Sequence, residues 1–199
     1  LSHSGAGKTS LSEALLFNNN VITRQGTVED GNTVSDYEPE EIKRGSSIQT
    51  TLIACTADNK KVNFLDTPGY EDFIGEMVAA VKVVESAAIL VTAQSGVDVG
   101  TERAWDLCET HELPIVMVIN KMDRENADFT QTVNSIQSSF GTKCVPFQIP
   151  VGMEQAFTDV LSVITPSSDI PSDLQLEFDL WRDRLIEAIA EADDDLADK

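Results

Sequence analysis

Basic residues are scarce: 14 Lys and Arg stand against 34 Asp and Glu, a net charge of -20 over 199 residues. Affinity for nucleic acid comes mainly from cations neutralising phosphates. Without a basic stripe this segment is no nucleic-acid clamp, and any RNA contact is local or lies elsewhere. The acidity equally suits solubility in a salty habitat, and the sequence does not separate the two. No apolar run is long enough to span a bilayer. Cysteine is sparse: Cys55, Cys108 and Cys144 are odd in number and lack metal-type spacing. They read as reduced, buried thiols in a reducing compartment, which implies a cytoplasmic location. Of only two histidines, His111 falls near a helix end, where a surface or capping role suffices. Repeats and low-complexity tracts are absent. With 41% apolar and 24% charged residues, the chain has the make-up of one or two globular domains with a real core.

What is present is a set of polar motifs, each beside an apolar run. Asn120-Lys121-Met122-Asp123 follows the apolar residues 115–119 directly. A carboxylate at a strand end accepts both the ring N1-H and the exocyclic amino hydrogens of guanine, a pair that adenine does not offer. Against the wrong base it would be left unpaired, and polar matching of this kind discriminates far better than an apolar pocket. Asn120, Lys121 and Asp123 therefore read as the guanine contacts.

Upstream, Ser2-His3-Ser4-Gly5-Ala6-Gly7-Lys8-Thr9 precedes residues with helical apolar spacing. Small residues let successive backbone N-H groups curl around phosphates, and the helix N-terminus adds a favourable dipole. Lys8 reaches the terminal phosphates, and the Thr9 hydroxyl serves Mg2+. The expected nucleotide contacts run through His3, Ser4, Gly5, Ala6, Gly7, Lys8, Thr9 and Ser10. Ser2 departs from the strict pattern, which has Gly there, so this turn must accept a side chain. A third motif, Asp66-Thr67-Pro68-Gly69, ends the run 62–65. An Asp leaving a strand beside such a loop holds Mg2+ through water, and the Gly N-H senses a terminal phosphate. Alone it would be an ordinary surface turn; in the order cradle, Asp, base reader it is not.

Strands and helices alternate as a mostly parallel sheet of the P-loop NTPase type demands. After the first helix comes a polar stretch, about 18–46, too long for a mere connector. A strand over 48–56 is expected to turn at Asp58-Asn59 into a second over 62–65. Helices are expected over 71–85, 101–112 and 127–140, the last stopped by Gly141, with strands over 87–91 and 115–119. Residues 143–148 should form the last strand of the sheet. Ser172-Asp173-Leu174-Gln175 reads as a capping box opening a helix with Leu174, Phe178, Trp181, Leu185, Ile189, Ala192 and Leu196 on its apolar face. Both ends are expected to be cut, because the strand that should deliver the phosphate loop is missing before Ser2 and the last helix has no stop signal.

Arg44-Gly45-Ser46-Ser47-Ile48, Asp66-Thr67-Pro68-Gly69-Tyr70-Glu71-Asp72-Phe73, Asn120-Lys121-Met122-Asp123 and the run 146–152 resemble elongation factor G. More narrowly, they are similar to its elongation factor G-like, second-paralogue branch. The resemblance covers essentially the whole chain. It implies a GTP-binding domain over 1–148 and, over 149–199, the start of an α+β subdomain inserted in that domain. It implies GTP or GDP with Mg2+, the ribosome as partner of the intact, monomeric protein, and GTP hydrolysis in translocation. It further implies Thr9, Ser47 and Asp66 as the Mg2+ residues and Lys8, Gly69 and Tyr70 as the catalytic ones. Ser47 stands where the family usually has Thr, keeping the oxygen but losing a methyl that helps hold the closed loop. Tyr70 stands where the family generally has the His that orients the attacking water. Gly5 replaces an acidic residue of many relatives. Three alternatives stay open: a ribosome-bound regulatory GTP-binding protein with little turnover, a tetracycline-type ribosomal protection factor, and a P-loop ATPase or kinase. Residues 1–199 alone are expected to bind nucleotide weakly.

Overall fold

A computed structural model describes residues 1–57, 59–166 and 170–192. The chain divides into two compact units, Leu1–Val91 with Asp98–Asn120, and Thr92–Val97 with Lys121–Lys199.

In the first unit the phosphate-loop residues lead into α1 (Lys8–Asn18), and α2 (Pro39–Arg44) lies within the long polar stretch. A hairpin follows, β1 (Thr51–Ala57) and β2 (Lys60–Asp66), antiparallel with Ala57 paired to Lys60 and Thr51 to Asp66. Asn59 takes the left-handed backbone that a tight hairpin needs and that Asn tolerates; Asp58 lies outside the described residues. Then come a 3-10 turn (Glu71–Phe73), α3 (Ile74–Val81), β3 (Ala87–Thr92), α4 (Val99–Thr110) and β4 (Ile115–Asn120). β3 and β4 are neighbours, joined by α4 as the crossover that a parallel pair requires. Nearly every β3 residue is buried, the pattern of a strand covered on both faces. Leu1 donates to Ala88 O and accepts from Leu90 N, flanking Ile89 in parallel register.

The core of this unit gathers Met77, Val81, Ala87, Ile89, Ala104 and Cys108 from α3, β3 and α4. Each large aliphatic side chain buried there contributes roughly 1.5–3 kcal/mol. Leu16, Ile53 and Cys55 pack α1 onto the hairpin. Cys55 and Cys108 are buried as expected, whereas Cys144, in the other unit, is only partly so; all three are free thiols.

The second unit holds α5 (Phe129–Phe140), β5 (Gln148–Val151), a 3-10 turn (Glu154–Ala156), β6 (Asp159–Ser162) and α6 (Gln175–Ala192). β5 and β6 form an antiparallel pair, Gln148 opposite Ser162. Phe178 and Trp181 are the buried face of α6.

Several expectations need correction. Residues 143–147 form no strand: Cys144 N bonds back to Gly141 O, Gln137 Nε2 holds Cys144 O, and Pro146 has no N-H to give a ladder. The strand begins only at Gln148 and pairs with β6 alone. The helix expected over 71–85 is a 3-10 turn followed by the short α3, which ends at Val81. α2 was not expected, although Pro39 at its first turn, the Glu38/Glu41 capping box and Gly45 at its end are the usual signals. Helix α6 starts at Gln175, the last residue of the Ser172 box, and the expected Leu196 lies outside the described residues. Asp128 caps α5 through Gln131 N at 2.8 Å, so that helix starts at Phe129 rather than 127.

Candidate functional site

Gly7 is in the left-handed region (φ 97) and caps α1 with no side-chain hydrogen bond. The first-turn N-H groups therefore point from a dipole end with no side chain across them, the arrangement that attracts phosphate. A Cβ on Gly7 would run into Asn120 Nδ2. That amide donates to Ala6 O at 2.8 Å, tying the end of β4 to the cradle.

Ser2, the departure from the strict pattern, is fully buried and its backbone needs no positive φ. Its hydroxyl and carbonyl take Lys8 Nζ at 3.2 and 3.3 Å, and His3 O takes it at 2.9 Å. The loop thus curls around the ammonium that would otherwise reach toward phosphate. Burial pulls the Lys8 pKa down to about 8, against the opposing pull of Asp66, Asp36 and Asp98. Of the remaining cradle residues, Ser4 is half-buried, Gly5 and Ser10 are exposed, and Ala6 is fully buried.

Asp66, Thr67 and Pro68 are buried at the end of β2, and Gly69 lies on the cradle. A Cβ there would sit 2.6 Å from Ser4 N and 2.7 Å from His3 C. Only glycine allows that approach. Tyr70, next in the chain, is half exposed.

Ser47 Oγ donates to Asp36 Oδ1 at 2.6 Å and lies 3.4 Å from Thr9 Oγ1. Asp36 went unnoticed in the sequence. Burial raises its carboxyl pKa, with the Ser47 hydroxyl pulling the other way and the Asp66 charge adding to the rise. Asp36 Oδ2 and Asp66 Oδ2 are both buried without a hydrogen-bond partner. The orphaned Asp36 oxygen beside the Ser47 and Thr9 hydroxyls, with the unpartnered Asp66 carboxylate near enough to act on it, makes a hard-oxygen donor set that fits Mg2+. Thr9, Ser47, Asp36 and Asp66 would hold it.

Three more carboxylates without a sequence signal hold the polar stretch and the residues 48–50 that follow it. Glu13 of α1, fully buried, accepts Gly26 N at 2.8 Å and Val34 N at 2.5 Å. Glu41, also fully buried, takes Ile48 N at 2.9 Å and Gln49 N at 3.3 Å. Glu76 of α3 accepts Thr50 N at 2.7 Å. The stretch is thus a folded loop pinned from α1, α2 and α3. No sequence periodicity marks such residues; an acidic residue on an otherwise apolar helix face is the only hint.

Lys121 and Asp123 belong to the second unit, immediately after β4. Lys121 has a positive φ of 62, Met122 is buried, and Asp123 is exposed with Arg124 Nε at 3.8 Å.

A family model described as "Elongation factor Tu GTP binding domain" matches residues 1–193. Among solved structures, the crystal structure of a Thermus thermophilus protein is similar to this chain, with 31% identity and a TM-score of 0.92. The match covers 99% of this chain and 31% of that one, so the chain spans about a third of the solved protein's length. A match over nearly the whole chain, on a P-loop fold that sets Lys8, Asp66 and Asn120 around one cradle, decides the family: this chain belongs to the elongation factor Tu GTP-binding domain family.

Proposed function

We propose that this chain is the GTP-binding and GTP-hydrolysing part of an elongation factor G-like protein that acts on the ribosome in translocation. The observation that carries the reading is the chain of contacts from Thr9 through Ser47 to Asp36, which joins the loop around Ser47 to the phosphate cradle, with Asp66 at the end of β2 near enough for its charge to act on Asp36. A loop that reaches the cradle through one hydroxyl is suited to being ordered by the terminal phosphate and released on its loss. Mg2+ held there would neutralise charge on the β- and γ-phosphates. Lys8 and the cradle N-H groups bind phosphate, Gly69 senses the terminal one, and Asn120, Lys121 and Asp123 hold guanine. Tyr70, directly after Gly69, would hydrogen-bond the attacking water, with the ribosome as the partner that orients it. Phosphoryl transfer needs positioning of the water more than proton abstraction, so a phenol that hydrogen-bonds it suffices.

The domain reading is part of the same proposal. A groove of about 490 Å³ runs between β2 and β3, lined by Leu11, Leu15, Phe64, Val81 and Ala88 among others. Leu1 already bonds to β3 at its rim. An extended apolar strand running into Leu1 would fill it and complete a GTP-binding domain over 1–148, with 149–199 opening an inserted subdomain. Adding about five apolar residues before Leu1 should raise the melting temperature and strengthen GTP binding; no change in either would refute the assignment.

The exposed Tyr70 favours one second reading, a ribosome-bound GTP-binding regulator with little turnover. Phosphate release by the protein made from its full reading frame, with and without ribosomes, separates the two. Stimulation by ribosomes is expected. Good GTP binding with no stimulation would sink the translocase reading in favour of the regulator.

A further inference from the structure

We propose that α4 is a two-armed brace across the phosphate cradle and the segment after Gly69, with Asp98 and Arg103 as positioning residues for GTP hydrolysis. This rests on the GTPase reading above. The first arm is Asp98, the N-cap of α4. Its Oδ1 accepts Thr101 N at 2.8 Å and Thr101 Oγ1 at 3.1 Å. The other oxygen, Oδ2, lies 2.5 Å from His3 Nδ1. The helix also lies flat on this residue: a Cβ on Gly100 would come within 2.7 Å of His3 Cβ. His3 in turn presents its carbonyl to Lys8 Nζ.

The second arm is Arg103, whose Nη1 lies 2.6 Å from Glu71 Oε1, two residues past Gly69. Between the arms is the close contact of Gly69 with the His3-Ser4 peptide. One helix therefore grips both sides of the gap that a terminal phosphate has to enter. It is a firm support, because Ala104 and Cys108 are fully buried in the core with Met77 and Ile89. A half-exposed pair such as Arg103 and Glu71 adds little stability; what it contributes is the place of Glu71, and so of the Gly69-Tyr70 peptide before it.

The test compares D98N, R103Q and the double variant in the protein made from its full reading frame. Asn still caps a helix, so D98N removes the carboxylate charge beside His3 and keeps α4. Each single variant should slow single-turnover phosphate release at saturating GTP by about threefold or more and lower the preference for GTP over GDP. GDP affinity and melting temperature should stay near the parent's. The double variant should be no slower than the slower single one, because losing either arm already frees the gap. Losses that multiply, or a D98N protein that matches the parent, would overturn the brace alone. A parent that binds no GTP would overturn the GTPase reading and the brace together.

Discussion

Asn120 Nδ2 donates to the carbonyl of Ala6 across 2.8 Å, so a residue expected to hold the base also holds the loop expected to hold the phosphates. Ala6 is fully buried, and truncating Asn120 would leave its carbonyl in want of that partner. Such a loss costs about 1–3 kcal/mol. Asn120→Ala should therefore weaken GDP binding at least about fivefold and lower the melting temperature by roughly 2 °C or more. Displacement of a fluorescent GDP analogue and a thermal melt check both effects; loss of base contact alone would leave the melt unchanged.

Asp36→Asn should have opposite effects with and without metal. Without Mg2+ it removes a buried negative charge that faces Asp66 and has a raised pKa, so the chain should melt higher. With Mg2+ and GDP it removes a donor, so it should melt lower than the parent. Melting curves in EDTA and in excess Mg2+ make the comparison; a shift of the same sign in both would contradict the donor role.

Glu13→Ala strips two backbone N-H groups of their buried acceptor and leaves a cavity in α1. Loss of this anchor should loosen the stretch 18–46 while leaving β3 and β4 intact. Faster hydrogen exchange and proteolysis at Gly26 and Val34, against unchanged exchange at Ile89, is the expected pattern. Uniform acceleration throughout would mean that Glu13 supports the whole fold rather than the loop.

If Tyr70 limits the orientation of water, Tyr70→His should raise ribosome-stimulated phosphate release from the protein made from its full reading frame. The side chain is half exposed, so stability should hardly change. An unchanged or lower stimulated rate would count against Tyr70 as the limiting group.

The parts legible in the sequence were those fixed by one short string. Gly7-Lys8-Thr9 opens α1, Asp66 ends β2 and Asn120 ends β4, placements that need only local backbone geometry, and β3 and β4 lie within a residue of their expected ends. Asp36, Glu13 and Glu41 were illegible for the opposite reason. Their partners are backbone N-H groups and a hydroxyl of a loop that has no period: Glu13 reaches 13 and 21 residues along the chain, and Asp36 meets Ser47 from 11 away. The strand expected at 143–148 failed because its apolar residues suggested a ladder while Gly141 and Pro146 favoured a turn. α2 lies inside a stretch whose polar composition reads as loop, although Pro39 and Gly45 mark its ends.

The central claim, that this cradle serves a guanine nucleotide, is tested most directly by competition. The protein from the full reading frame, with Mg2+ and a bound fluorescent GTP analogue, is challenged with GDP or ATP. Equimolar GDP should displace the analogue, whereas ATP at about a thousandfold excess should not, because adenine leaves the Asp123 carboxylate unpaired. Displacement by equimolar ATP would contradict the account.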